Sequence, residues 1–493
     1  TYGFSNPSED DLKSMKKQFR HLNDQYIKIM EERIYQEKRV DKQHRKIFLQ
    51  NVEKYFGKKV SVKRYEHHPS HIASAYVPSG FKKALVISSD GRGDFNSLVI
   101  GVAEPDKFTP LYASPSWNSF GYYYGRLTGL CGFTPNRHEG KVTGLAASGN
   151  PDKAYDLVEK MITVKRGKIL CNLGDYYRPF FSNFSNKLIK EAERFSREDI
   201  AAATQLHLER CFVKLVRYYL KKSGMKNICL AGGVFANIKL NQTISEIQKG
   251  LKVFVYPNMG DGGICAGSCY AWLWENGIRC SPVKQMYLGY DFSEKKFLKS
   301  IDKKRFKVSK QKGNQRTITL LKKHKLVGLV QGKAEFGPRA LGHRTILASP
   351  NDVKIINKIN MRLGRDSFMP LAPIIAEELI DKYLKLPPGH DARTGYFMTF
   401  TYDSKKKLER LAPAIVHHDG TVRPQIVSKK FNKFLHTLLW DWYRETGCPV
   451  LINTSFNTHE EPIVNNEDDV LNSLHKKVID ALVLQTTLIE HNS

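Results

Sequence analysis

The sequence predicts an α/β protein with two large domains behind a helical N-terminal segment. Three observations carry this. Short apolar segments that read as strands alternate with segments of helical periodicity between residues 58 and 280, the pattern of a sheet covered by helices. Gly-rich turns follow several of those strands. The chain has 493 residues, 41% hydrophobic and 26% charged, which at about 150 residues per domain describes a globular chain with more than one core. These values exclude a disordered chain, a collagen-like fibre and a disulfide-stapled miniature. No apolar run reaches the roughly 18 residues of a membrane span.

Residues 1–57 read as helix. SEDDLKSMKKQF offers a Ser cap followed by acids, and RKIFLQNVEKYFG repeats apolar positions at helical spacing up to Gly57. The chain opens on Thr1 without an apolar signal core, so the expectation is an unsecreted protein with residues upstream. VSVKRYE reads as a strand, and ALVISSDGRGDFNSLVIG as strand, turn, strand. REDIAAATQLHLERCFVKLVRYYLKKSG is a long helix ending at Gly224. NICLAGGV and KVFVYP are short strands leading into Gly-rich turns. We place a domain boundary near residue 284. Between Lys295 and Lys325 stand thirteen Lys or Arg and one Asp, read as a solvated, helical, basic face. Strands return at LVGLVQG, FMPLAPIIAEE and PVLINTSFN. Eight cysteines include no C-x-x-C pair. Reduced thiols and a cytoplasmic setting follow, with Cys265 and Cys269 as small buried residues on one helix face.

Three constellations carry chemistry. In EHHPSHIASAY, His67 and His71 are four apart, so a helix projects both imidazoles from one face; His68 points elsewhere. Asp90 closes a strand in SSDGRGD and Asp261 opens the turn NMGDGG. Each Asp beside Gly is also an ordinary turn former, but two imidazoles with two carboxylates suit Fe(II) or Mn(II). The Gly-rich turns DGRGD, AGGVFAN (Gly232, Gly233, Asn237) and GDGG (Gly262) suit phosphate oxygens, and EGKVTGLAASG adds Lys141 as a cation. Beyond the boundary, QGKAEFGPRALGHRTILASP carries Lys333, Glu335, Arg339, His343 and Arg344. MRLGRDSFMPLAP adds Arg362 and Arg365, and LINTSFN adds Asn453, Ser455 and Asn457. Arg forks match phosphate, and strand-end Asn and Ser suit an acyl or carbamoyl amide.

These segments, in this order and spanning 58–493, resemble the O-carbamoyltransferases of the tobramycin, cephamycin and nodulation-factor type. The resemblance implies an ASKHA-like domain (related to acetate kinase, sugar kinases and actin) over 58–284, followed by a YrdC-like α/β domain over 285–493. It implies that the second domain makes carbamoyl-adenylate from carbamoyl phosphate and ATP with Mg(II), and that the first passes the carbamoyl group to an acceptor hydroxyl beside a bound iron. It places the metal on His67, His71, Asp90 and Asp261, and the adenylate-forming cluster on Lys333, Arg339, Arg344 and Arg365, with Asn453, Ser455 and Asn457. Lys333 stands where relatives often have Arg. A homodimer is implied by the same resemblance. Relatives begin with strands bearing a Gly-His-Asp phosphate turn; residues 1–57 are basic and helical instead, so either those strands lie upstream or the first sheet is rebuilt. His68 or His138 is the candidate for proton transfer to and from the acceptor, set against a surface or supporting role for each.

The acceptor is read from charge. Lys and Arg number 78 against 49 Asp and Glu, a formal net charge of +29, with both halves basic. Such a field repels a cationic aminoglycoside and attracts a polyanion. DNA carrying 5-hydroxymethylcytosine or 5-hydroxymethyluracil, as in modified phage DNA, offers both the charge and a primary alcohol. SWNSFGYYYGRLTG, at 116–129, is a candidate base-stacking surface, with core packing as its alternative. A small-molecule alcohol is the second acceptor class, and an inert nucleic-acid-binding protein the third reading.

Overall fold

The computed structural model describes Lys13, Lys16, Lys17, Lys28 and residues 43–492, except 94, 179–182 and 388–391. The helix read in SEDDLKSMKKQF therefore falls, apart from isolated positions, outside the described residues. RKIFLQNVEKYFG is the second part of a helix over 43–56 that stops at Gly57. VSVKRYE is not a strand. Among the described residues it pairs with no strand; Lys63 and Tyr65 instead tie their side chains to Glu275. The chain forms two compact units that divide at Pro282 and Val283, with 248–250 grouped with the second.

The first unit is built on a five-stranded mixed sheet. Its strands are β1 (Ala84–Gly93), β2 (Asn96–Ala103) and β3 (Phe108–Pro115), then, beyond a small hairpin of β4 (Ile162–Lys165) and β5 (Lys168–Cys171), β6 (Asn227–Ala231) and β7 (Lys252–Val255). The order is β3-β2-β1-β6-β7. β1, β2 and β3 form an antiparallel meander, while β1, β6 and β7 run parallel. The helix Arg197–Ser223 starts at Ser196, whose hydroxyl accepts the Asp199 N–H, and ends at Gly224.

A helix over His67–Tyr76 precedes β1 and buries nine of its ten residues. Its apolar side meets the sheet through Ile72, Ala75 and Tyr76 against Ala84, Val86, Cys229 and Ala231. The helix Ile264–Glu275 packs beside it, where Gly267 leaves room for the Ser70 carbonyl. That helix buries Ile264, Gly267 and Ala271, which turns Cys265 and Cys269 to solvent, not to the core as expected. Trp117, Phe120, Tyr123 and Tyr124 are buried, so the aromatic segment packs the core and offers no base-stacking face through these rings.

The second unit holds an eight-stranded mixed sheet. Its strands, with those of two smaller sheets, are β8 (Tyr287–Asp291), β9 (Phe306–Lys310), β10 (Val327–Val330), β11 (Lys333–Glu335), β12 (Arg344–Ala348), β13 (Ala372–Ala376), β14 (Leu384–Lys385), β15 (Tyr402–Ser404), β16 (Thr421–Val422), β17 (Gln425–Val427), β18 (Val450–Ser455), β19 (Ala481–Val483) and β20 (Thr487–His491). The large sheet runs β17-β13-β18-β12-β10-β19-β20-β9, β8 pairs with β11, and β14, β15 and β16 form a separate three-stranded sheet. LINTSFN thus lies on an inner strand beside the strand that begins at Arg344. The basic stretch is not all helix: Phe306–Lys310 forms the sheet's edge, where exposed Lys307 and Lys310 discourage pairing with another strand.

Candidate metal centre and anion site

The i, i+4 spacing brings the two imidazoles together on the helix His67–Tyr76. His67 Nε2 and His71 Nε2 are 3.1 Å apart. Asp90, from the end of β1, puts Oδ2 at 3.5 Å from His67 Nε2 and 3.2 Å from His71 Nε2. Asp261, in the turn after β7, brings Oδ1 to 3.6 and 3.7 Å. The four donor atoms all lie within 4.8 Å of one another. Asp90 is held by backbone: Gly91 N–H donates to Oδ1 at 2.7 Å and Gly233 N–H to Oδ2 at 3.1 Å. Gly232 allows this approach, since a Cβ there would overlap the Ser89 carbonyl.

Burial opposes charge on His71, but hydrogen bonds to Asp261 and Asp90 outweigh it and raise its pKa. Burial likewise opposes an ionised Asp90, yet the bonds to His67 and His71 hold its carboxyl well below the usual range. Two nitrogens and two carboxylates converging on one point fit a divalent cation better than a lone proton.

The second unit gathers positive charge. Arg365 Nη1 donates to Thr454 Oγ1 at 2.6 Å, and its Nη2 to Ser455 Oγ at 2.9 Å and Asn457 Oδ1 at 3.1 Å. Burial pulls Arg365 down to about 10. Arg423, after the turn HHDGT, is pushed down to about 9 by burial and then by repulsion from Arg339 and Arg365. Its Nε is buried without a hydrogen-bond partner among the described residues. All three remain cationic at neutral pH. Guanidinium groups gathered this way, with no acid among the groups that shift Arg423, suit a multiply charged anion such as a phosphate chain.

Comparison with known proteins gives the family. Residues 4–270 match the family described as Carbamoyltransferase N-terminus and residues 318–491 the one described as Carbamoyltransferase C-terminus. This chain belongs to the carbamoyltransferase family. It is 34% identical to protein MJ1051 of Methanocaldococcus jannaschii over 86% of this chain and 82% of that protein. It is 32% identical to nodulation protein NolO of Bradyrhizobium diazoefficiens over 86% and 78%, and 31% identical to nodulation protein NolNO of Sinorhizobium fredii over 88% and 65%. The enzyme is an O-carbamoyltransferase.

Several residues of the carbamoyltransferase motifs have structural work that the sequence does not reveal. Arg344 is fully buried. Its guanidinium donates to the carbonyls of Gln331, His343, Tyr290, Gly332 and Asn465, so it is spent on backbone and has no fork left for phosphate. Asn453 is also buried: its amide nitrogen donates to Ala340 O and Gln425 Oε1, and its oxygen accepts from Thr345 Oγ1, which leaves nothing for a carbamoyl group. Ser455 and Asn457 face Arg365. Glu335 Oε1 accepts the N–H groups of Leu341, His343 and Arg344, so it shapes the loop that carries Arg339. Arg362 pairs with Asp480 at 3.1 Å. Lys333 is exposed on β11, and its carbonyl accepts His343 Nδ1–H.

In the first unit, Asn237 caps the helix Ile238–Ser245 and bonds Gln205, so its side chain is a helix cap and not a phosphate ligand. Gly262 packs against the Asn258 side chain. Lys141 places Nζ 5.7 Å over the Phe133 ring. His138 precedes the helix Glu139–Ala146 and accepts the Thr134 N–H on Nδ1 at 3.2 Å. His68 is wrong as a proton carrier. It is 1% exposed, both ring nitrogens are engaged, and burial pushes its pKa down to about 3. Arg423 is the residue sequence reasoning missed. Its one signal in the sequence is a Pro directly after it, which restricts the backbone at Arg423.

Proposed function

We propose that this carbamoyltransferase works in two steps. Carbamoyl phosphate is hydrolysed to carbamate and phosphate, and a carbamate oxygen attacks the α-phosphorus of ATP, held with Mg(II), to release pyrophosphate and leave carbamoyl-adenylate. The oxygen of an acceptor hydroxyl then attacks the carbamoyl carbon; AMP departs with the electrons of the broken bond and the hydroxyl proton passes to solvent. The observation that carries this reading is the cluster of Arg339, Arg365 and Arg423, which answers the charge of phosphorylated substrates. The order β3-β2-β1-β6-β7, a meander extended by parallel strands, supports an ASKHA-like reading of the first unit, with a YrdC-like second unit.

His67, His71, Asp90 and Asp261 would hold Fe(II) or Mn(II). A divalent cation there supplies a Lewis acid for a carbonyl oxygen. The chain's own part is to keep both imidazole nitrogens aimed at one point and to offer two carboxylates whose charge offsets the cation.

The net charge of +29 supports a polyanionic acceptor, and 5-hydroxymethylpyrimidine DNA combines that charge with a primary alcohol. The burial of Trp117, Phe120, Tyr123 and Tyr124 favours the second reading, a small-molecule alcohol, because it takes away the stacking surface. A transfer assay followed by mass spectrometry decides. The enzyme receives carbamoyl phosphate, ATP and Fe(II) with duplex oligonucleotides with and without 5-hydroxymethylcytosine, or with sugar alcohols. A carbamoyl gain on the modified duplex alone supports DNA. A gain on sugars alone replaces it. Transfer without AMP and pyrophosphate would sink the adenylate route.

A further inference from the structure

His68 sits between the two helical metal ligands, yet its chemistry is closed. Its Nε2 lies 3.1 Å from the Asn96 carbonyl. A carbonyl only accepts, so Nε2 carries the proton and Nδ1 accepts from the Ser88 hydroxyl at 2.7 Å. These bonds fix one neutral tautomer and one ring orientation. They also fasten the first turn of the helix His67–Tyr76 to two strands. Ser88 lies on β1 two residues before Asp90, and Asn96 opens β2. The helix that bears two of the ligands is thereby pinned to the strand that bears the third.

The His67 ring is confined from two sides. His68 meets it edge to face, with centroids 5.4 Å apart and planes at 70°. Gly93, at the end of β1, backs it so closely that a Cβ there would overlap His67 Cδ2 and Cγ. The Gly93 backbone needs no left-handed conformation, so Ala is excluded by the ring alone. His67 and His71 are consequently held at 75°, with centroids 4.6 Å apart and Nε2 atoms converging.

We propose that His68 and Gly93 are positioning residues that hold His67 and His71 in the geometry the cation requires. This rests on the metal reading given above. Partners behind metal-bound histidines commonly change affinity about 10–100-fold. The test titrates the full-length protein with Mn(II) and reads bound metal by equilibrium dialysis and electron paramagnetic resonance. Thermal melting is followed in parallel. Wild type should bind one Mn(II) tightly at this centre, and H71A should lose it. G93A and H68A should bind at least about tenfold more weakly and show an altered resonance spectrum. H68Q, which keeps a donor for the Asn96 carbonyl, should recover part of the loss. If H68A does not fold, S88A, which removes a single hydroxyl, takes its place and should alter the same spectrum.

Wild-type affinity and spectrum in folded G93A and in H68A or S88A would overturn the inference and leave the metal reading standing. No Mn(II) or Fe(II) bound by the wild type would overturn the metal reading itself. A transfer pH profile in H68Q that loses an ionisation present in wild type would restore His68 as a proton carrier and remove it from the positioning role.

Discussion

Replacing Arg344 with Met separates a structural arginine from a substrate-binding one. The side chain is fully buried and reaches five backbone carbonyls. Two of them keep a second donor: Gly332 O accepts Phe292 N–H at 3.0 Å, and His343 O accepts Gln331 N–H at 3.1 Å. The loss falls chiefly on Tyr290, Gln331 and Asn465. A buried acceptor deprived of its donor costs about 1–3 kcal/mol, which places R344M on the order of 5 kcal/mol below wild type. That is a large share of the roughly 5–15 kcal/mol by which a domain is stable. The assay is thermal melting of the full chain, with hydrogen exchange over 326–348 to localise the effect. The expected result is a lower melting temperature and lost protection along β10 and β12. An R344M protein with wild-type melting and exchange, but weakened ATP or carbamoyl phosphate use, would refute the reasoning and return Arg344 to the substrate site.

Arg423→Met should do the reverse. Removing a guanidinium that Arg339 and Arg365 repel leaves melting unchanged or raises it, while loss of a charge-assisted contact raises the KM for a phosphorylated substrate about 10–100-fold; unchanged kinetics would take Arg423 out of the anion site. Glu467 sets an acid limit. Burial opposes its ionised form, but Ser293 N–H, Tyr290 OH and Lys296 bring its pKa from 4.5 to about 2. Its contribution is therefore complete above pH 4.5 and is lost as pH falls through 2, worth about 3 kcal/mol over that window. E467Q should flatten the fall in stability measured by circular dichroism between pH 5 and 2.5, and parallel acid curves in the two proteins would disprove it.

His67, His71, Asp90 and Asp261 could be picked out because each carries a local signal. Spacing of four on a helix aims two imidazoles the same way, and an Asp at the end of an apolar strand beside Gly sits on a turn at the sheet's rim. The core strands were legible from apolar runs bounded by turns. VSVKRYE was misread because a strand exists only with a hydrogen-bonding neighbour, and alternation cannot supply one. Cys265 and Cys269 were misread because helical spacing says which residues share a face but not which face meets the core. Gly267 and its neighbours won that contact.

Arginine roles were the least legible. Arg339, Arg344, Arg362 and Arg365 all stand in Gly-bearing segments, and nothing in their sequence tells their roles apart. Only the folded chain separates a guanidinium spent on five carbonyls, one paired with Asp480, and those gathered with Arg423 from 58 residues beyond Arg365. By itself the sequence determined the family, the alternation of strands and helices, the basic character and the shared helix face of His67 and His71, because these depend on residue type and near-neighbour spacing. Only the tertiary structure decided which polar groups are already satisfied. A buried donor or acceptor takes whatever partner the packed fold brings to it, often from a hundred residues away, and what remains for a substrate is settled after that demand is met.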